Sequence, residues 1–465
     1  MVNLNYNILY NPKDIDLLID RIGESQFVLL GESSHGTSEF YQWRSEISKR
    51  LIKEKGFSFI AVEGDWPDCF KVNKYIKGYH DSGKNAYDVL HSFNRWPTWM
   101  WANKEMVELV EWLKQYNLNN NKQKKAGFYG LDLYSLWESM DEIIKYLKKV
   151  DPSALKNAID AYNCFEPYNR EEEKYAHATA FVPENCEEEV IEMLISLQNK
   201  NNVYYKNNKN KEDYFSAEQN AITAKDAERY YRTMIKGDAE SWNLRDTHMM
   251  DTLDRLINFH SISNNDISIK PKSIVWAHNT HIGDARFTDM KESGMINIGQ
   301  LIREKKGNKN SVLVGFSTYI GSVIAARRWG EKMEIMDVPP AREGSWDNLL
   351  HFIDNDYIDN NGKNKLVIFS KDIGNIQNQI DQKGGGYCDN NNNNDKNDGN
   401  YENKGQRAIG VVYNPKYEKY GNYVPTILPL RYDALIFIDK TTALSPLHMQ
   451  SAKNNDPPET FPTGM

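Results

Sequence analysis

The sequence predicts an α/β fold, a mostly parallel central sheet flanked by helices with a large all-helical insertion. Three observations predict it. Short apolar runs such as Phe27-Val28-Leu29-Leu30 and Ile274-Val275-Trp276-Ala277 stop abruptly at glycine or polar residues, as strands covered on both faces do. A helical pattern of the length that a parallel crossover needs separates the first two runs. From Ser135 to about His260 the spacing is helical throughout and no strand pattern occurs.

Taken in order, residues 14–22 have helical apolar spacing and 27–31 form the first strand. Residues 38–55 read as a helix, because Phe40, Trp43, Ile47 and Leu51 recur at three and four and Gly56 follows as a stop. The second strand, 57–62, ends in Glu63-Gly64-Asp65-Trp66-Pro67. A helix over 99–113 precedes a third strand, 126–131, which ends at Asp132. Helices are then expected at 140–150, 153–162, 186–197, 217–234 and 242–259, with a polar connection at 199–211. Strand signals resume at 273–277, 312–316, 323–326, 365–369, 408–412 and 434–438. The expected organisation is therefore a first half of the α/β core in 1–134, a helical insertion forming part of the cleft in 135–265, and the second half of the core in 266–452. Residues 389–399 are Asn- and Asp-rich, with too little apolar content to fold, and are expected to be a disordered surface loop.

Aromatic residues make up 12% of the 465 residues, charged residues 26% and the hydrophobic class 40%, a globular composition. The net charge of -8 argues against nucleic acid or an anionic membrane as partner. No run approaches the ~20 apolar residues of a membrane helix, and the N-terminus lacks a basic and apolar leader. The four cysteines, Cys69, Cys164, Cys186 and Cys388, form no CxxC pair. That spacing argues against structural zinc and against a disulfide framework, so a soluble cytoplasmic protein is expected.

Ligands of open α/β sheets bind at the carboxyl ends of the strands. Two clusters fall there, Gly31-Glu32-Ser33-Ser34-His35-Gly36 and His278-Asn279-Thr280-His281. A capping carboxylate and a satisfied histidine would explain Glu32 and His35 singly, but the glycine-rich setting favours function, and Gly31 and Gly36 permit tight turns. A nucleophilic serine needs glycine two residues before and two after it. Ser33 has Gly31 before it but His35 after, and Ser34 has Glu32 before it, so neither fits. Arg44 lies near the inner stripe of the first crossover helix and can point back at the strand ends. Glu63 ends the second strand. Arg286 is a further anion-binding candidate, and Gly315-Phe316-Ser317-Thr318 can add backbone donors. Trp66, Trp96, Trp99 and Trp101 are expected to pack the core, with some lining an apolar pocket.

With these residues in view, the chain resembles the erythromycin esterase family. The matching segments are Gly31 to Gly36 with Glu39-Phe40, Glu63-Gly64-Asp65-Trp66, Gly130-Leu131-Asp132, Ser241-Trp242-Asn243-Leu244-Arg245-Asp246, the run from Trp276 to Arg286, and Gly315-Phe316-Ser317. The resemblance implies an α/β core with inserted helices, no cofactor, and a metal-independent esterase site at Glu32, His35, Arg44, Glu63, His278 and His281, with His35 as the base that activates water. It also implies a small-molecule ester or lactone substrate, as in the macrolide lactone that the family cleaves. The chemistry is consistent from below. Histidine is the base suited to neutral pH, a carboxylate can fix its tautomer, and Arg44 with one histidine of the second pair can stabilise the oxyanion.

Two other readings use the same residues. Glu32, His35, Glu63, His278 and His281 are all permissible zinc or manganese ligands, although the chain lacks HExxH. A binding protein that has lost turnover is the third, but a pure binding pocket does not need six clustered ionisable groups.

Overall fold

Alternate residues of each central strand enter different cores, which makes the sheet the middle layer. Val28, Leu30, Ile60, Val62, Ile274, Trp276, Val312 and Val314 join one buried cluster. Phe27, Leu29, Phe59, Ala61, Val275, Ala277 and Leu313 join the other. This period of two is the pleat itself. The computed structural model describes residues 6–448 apart from 81, 121–124, 169, 171, 182–184, 200–210, 235–238, 264–269, 354–363 and 370–402.

Eleven strands are formed among the described residues: β1 Tyr6–Ile8, β2 Phe27–Leu30, β3 Phe59–Asp65, β4 Gly127–Asp132, β5 Ser273–Trp276, β6 Ser311–Ala325, β7 Glu334–Val338, β8 Lys365–Ile368, β9 Lys404–Arg407, β10 Tyr423–Thr426 and β11 Ala434–Thr441. The main sheet runs β1-β8-β11-β6-β2-β5-β3-β4, with β7 added to β6, and β9 pairs with β10 separately. The centre is parallel, with Phe27 opposite Ser273 and Ser311, and Phe59 opposite Ser273 and Gly127. Antiparallel pairing is confined to β1–β8, β8–β11, β6–β7 and β9–β10. The α/β expectation holds, and the parallel centre brings the carboxyl ends of β2, β3, β4 and β5 to one edge.

The first crossover helix spans Ser38–Lys55, and Gly56 closes it in the left-handed conformation at φ 69°. Other boundaries differ from the sequence reading. The helix expected at 99–113 is a short turn, Thr98–Met100, followed by Lys104–Leu118, which Asn103 caps through Met106 N–H. The strands expected at 312–316 and 323–326 are one strand, β6. Its middle, Ser317 to Ser322, stays paired with β11 as far as Gly321, but on the other side it lies between the end of β2 pairing at Val314 and the start of β7 pairing at Gly321, so polarity there marks a change of neighbour and not a turn. The strand expected at 408–412 is displaced to β9. Ile409 and Val412 make isolated bridges to Ser34 and Ala326. β1, β7 and β10 have no counterpart in the sequence reading, being short or at an edge. The expected loop at 389–399 lies outside the described residues.

Between β4 and β5 the described residues form helices, including Leu136–Val150, Leu155–Phe165, Glu187–Asn199, Lys211–Met234 and Ala239–Ser263. Several bury their inner faces in a cluster of their own, with Trp137, Met140, Phe165, Val190 and Tyr231 among its members. A disulfide joins Cys164 to Cys186 across this cluster's helices. This corrects the expectation that the cysteines stay unpaired: wide sequence spacing does not report spatial proximity. The cytoplasmic expectation loses the support it drew from that spacing. Among the described residues, no helix is long and apolar enough to cross a membrane.

Candidate functional site

The chain leaves β2 at a position where only glycine fits. A Cβ on Gly31 would come within 2.1 Å of Asn279 Oδ1, and one on Gly36 within 1.9 Å of Ile324 O. Neither glycine has positive φ, so close approach, and not the turn conformation expected from sequence, is what requires them. Asn279 N–H donates to Glu32 O at 2.8 Å. The side chain of Asn279 bridges to the Phe316 backbone at 2.7 and 3.2 Å. The two sequence clusters are thereby fastened together and to β6.

The turn presents Glu32 and His35. His35 Nδ1 lies 2.9 Å from Glu32 Oε1, and Arg44 Nη2 donates to Glu32 Oε2 at 2.5 Å. With Nδ1–H donated to the carboxylate, His35 keeps its lone pair on Nε2. Arg44 comes back from the Ser38–Lys55 helix and is fully buried. Its guanidinium carbon sits 4.4 Å from the Tyr41 ring centre and 4.6 Å from that of Trp276. The arginine is thus fastened behind Glu32.

Glu63 occupies the irregular step of the β3–β4 ladder between Val62 and Asp65, where a bulge re-aims side chains. Its Oε2 accepts His278 N–H at 2.8 Å. Its Oε1 accepts Arg245 Nη2 at 2.7 Å and lies 3.3 Å from His281 Nε2. Burial alone would push this carboxyl up, but His281 and Arg245 outweigh it and hold Glu63 well below the usual carboxylate range.

The three histidines are in different states. His278 caps the turn Asn279–Ile282, and its Nδ1 accepts Thr280 N–H at 3.3 Å. Its proton is therefore on Nε2, which is buried with no acceptor among the described residues. Burial, reinforced by nearby His35, pushes His278 well below the ordinary histidine range, so it is neutral. Its ring centre lies 4.9 Å from that of His35. His281 stacks on Trp242 at 4.6 Å and faces Asp246 through Nδ1 at 2.9 and 3.0 Å. Burial disfavours its charge, yet Asp246 and Glu63 raise it to about 9. Burial also pushes Asp246 up. We take Asp246 as the ionised partner, because it accepts Ile298 N–H at 2.8 Å as well. Local balance agrees, since among the described residues the carboxylates of Glu32, Glu63, Asp132 and Asp246 bond only two guanidiniums, Arg44 and Arg245.

The structure brings all six sequence candidates into one buried network. It adds three residues, Arg245, Asp246 and Asp132, that the sequence reading quoted without proposing them for the site. Arg245, from the helix Ala239–Ser263, forks onto Asp132 at 3.0 and 2.7 Å. Asp246, its neighbour in sequence, holds His281. Asp132 ends β4, the same signal that picked out Glu63, and could have been read the same way. Arg286 lies apart, paired with Asp284 at 2.7 Å.

His35, Glu63, Asp132 and Arg245 open on a cavity walled mainly by Phe93, Trp96, Met100, Trp101, Tyr134 and Trp329. Trp96 and Trp101 thus line the pocket, while Trp66 and Trp99 are core residues. Among the described residues no group of three or more His, Cys, Asp or Glu side chains is arranged to hold a metal ion.

Residues 52–441 match the family model described as erythromycin esterase. The match begins after Glu32, His35 and Arg44. A stretch of 157 residues is 26% identical to the type II erythromycin esterase of Escherichia coli, covering 33% of this chain and 35% of that protein. The chain thus spans about a third of that relative's length. A hydrolase described as putative, YbfO of Bacillus subtilis, is 21% identical over 362 residues, covering 74% of this chain and 75% of that one. Among solved structures, a protein described as a succinoglycan biosynthesis protein superposes with TM-score 0.65 at 22% identity, covering 95% of each chain. A mutant erythromycin esterase in its open conformation superposes with TM-score 0.58 at 14% identity, covering 98% of this chain and all of that one. At these identities the structural likenesses speak for the fold alone.

Proposed function

Because this chain belongs to the erythromycin esterase family, we propose that it is a hydrolase that cleaves a carboxylic ester by histidine-activated water. The observation that carries the reading is the Glu32–His35 pair at the cavity wall, with Nδ1 committed to the carboxylate and Nε2 free to accept a proton. In the first step water oxygen attacks the carbonyl carbon, the water proton passes to His35 Nε2, and the carbonyl π pair moves to oxygen. Glu32 supports the imidazolium that forms, and Arg44 holds Glu32 in place. On collapse the bond to the leaving oxygen breaks and the alkoxide takes a proton, from His35 or through the charged His281–Glu63 pair.

The metal-assisted alternative uses the same side chains, but their donor atoms are turned on one another. Glu32 serves Arg44 and His35, Glu63 serves Arg245 and the His278 N–H, and His281 serves Asp246. The aromatic wall fits an apolar part of a substrate, and with the family this supports an ester or lactone, a macrolide lactone being the substrate to try first. Purified protein incubated with macrolides and with 4-nitrophenyl esters tests the reading. Product carrying one added water is expected, and a chain that opens no ester or lactone in either set would overturn it.

A further inference from the structure

Of the two buried arginines in the network, one cannot reach a substrate. Arg44 is enclosed by Tyr41, Trp276 and Glu32 and contributes nothing to the cavity wall. Arg245 does line that wall, beside His35. Its Nε and Nη2 are committed to Asp132 and Glu63. Among the described residues its Nη1 has one hydrogen-bonding neighbour, His281 Nε2 at 3.2 Å.

That contact is a good hydrogen bond only while His281 Nε2 holds a lone pair. Asp246 fixes Nδ1 as a donor in either state. Once the ring is an imidazolium, Nε2–H turns to Glu63 Oε1 at 3.3 Å and accepts nothing from Arg245. Two positive groups then stand side by side, Arg245 at the cavity wall and His281 behind it, and Nη1 has no acceptor among the described residues. An oxygen gaining negative charge would relieve both, which is the arrangement that favours a transition state over a ground state.

We propose that Arg245 is a catalytic residue whose Nη1 binds the acyl oxygen of the ester, and that Arg44 is a positioning residue acting only through Glu32. The proposal rests on the hydrolase reading. Arg245 is unchanged chemically. The electron pair displaced when water adds comes to rest on the oxygen that Nη1 holds, and returns to the carbonyl when the alkoxide leaves.

The test compares the two arginines against 4-nitrophenyl butyrate and the 4-nitrophenyl monoester of propylphosphonate, a stable anionic tetrahedral mimic. Arg245→Lys is expected to lose about 10²-fold or more in kcat, with KM within about threefold, and to lose phosphonate affinity by a similar factor. Arg44→Lys is expected to lower kcat through His35 while phosphonate affinity stays within about tenfold of the parent. Parental phosphonate binding by Arg245→Lys, or an equal loss in Arg44→Lys, overturns the proposal, as does a parent protein that binds no phosphonate. Should Arg245→Lys fail to fold, by circular dichroism, a crystal structure of the parent with the phosphonate decides. An oxygen of the phosphonate is expected within hydrogen-bond distance of Nη1, and one held elsewhere overturns it. A parent that binds the phosphonate yet hydrolyses no ester would count against the hydrolase reading and leave the binding role of Arg245 standing.

Discussion

At the scale of single residues, the site works by keeping like side chains unlike. His35 has a carboxylate on Nδ1 and a free Nε2, His278 is neutral with its proton on Nε2, and His281 is held charged. If His35 is the base, His35→Asn should keep the fold and lower turnover by roughly 10²–10⁴-fold; near-parental turnover would end the mechanism. His281 gives a pH prediction with a definite sign. Its folded pKa, about 9, lies above the ordinary histidine value. The stabilisation from its charge is therefore full below the ordinary value and is lost as pH rises through about 9. Activity that needs the imidazolium should fall along the same limb. Asp246→Asn removes the larger charge that sustains it, so the alkaline limb of kcat should move toward neutrality, and a limb at unchanged pH would refute the assignment. Arg44→Met should cost about 3–5 kcal/mol of stability, read by urea unfolding, because it leaves the Glu32 carboxylate buried and unpaired.

At the scale of elements, four strand ends and two long helices meet because the connections are tight. The turn after β2 passes against Ile324 with no room for a methyl group, so Gly36→Ala should shift β2 against β6 and lower the melting temperature as well as activity. In the helical region, the disulfide closes a separation of 22 residues. Loop-closure entropy for such a span is worth about 3 kcal/mol, so Cys164→Ser should lower the midpoint of unfolding by a corresponding amount. Turnover measured well below that midpoint should change little, since neither cysteine lines the cavity. Equal midpoints for mutant and parent would show that the pair adds nothing.

At the scale of the whole molecule, the sheet carries charge to its carboxyl edge, where residues 93–101 with Tyr134 and Trp329 supply the aromatic wall and the helices between β4 and β5 supply Arg245. Trp96, Trp101 and Trp329 face Glu63, Asp132 and Arg245 across one cavity, so apolar and ionic recognition share the same space. Glu32, Glu63 and His281 are committed to protein partners, and hydrolysis should therefore survive exhaustive chelation, measured as retained turnover after dialysis against a strong chelator. Loss of activity restored only by added zinc or manganese would favour the metal-assisted reading.

The sequence by itself determined the layers and the edge. Runs such as Val28–Leu30 and Ile274–Trp276 are apolar on both faces, and that requires a covered parallel sheet whose ends carry Glu32, Glu63 and His278. Local patterns report local geometry, so the helix Ser38–Lys55 was legible to its last residue. Tertiary structure decided what local pattern cannot hold. Arg245 and Asp246 sit on a long helix, remote in sequence from β3 and β5, and look there like ordinary helix charges until burial forces them to find partners. Cys164 and Cys186 meet only because two helices pack, and β6 is continuous only because a second strand takes over its pairing. The opposite shifts of His278 and His281 were likewise set by neighbours that the fold, and not the chain order, supplies.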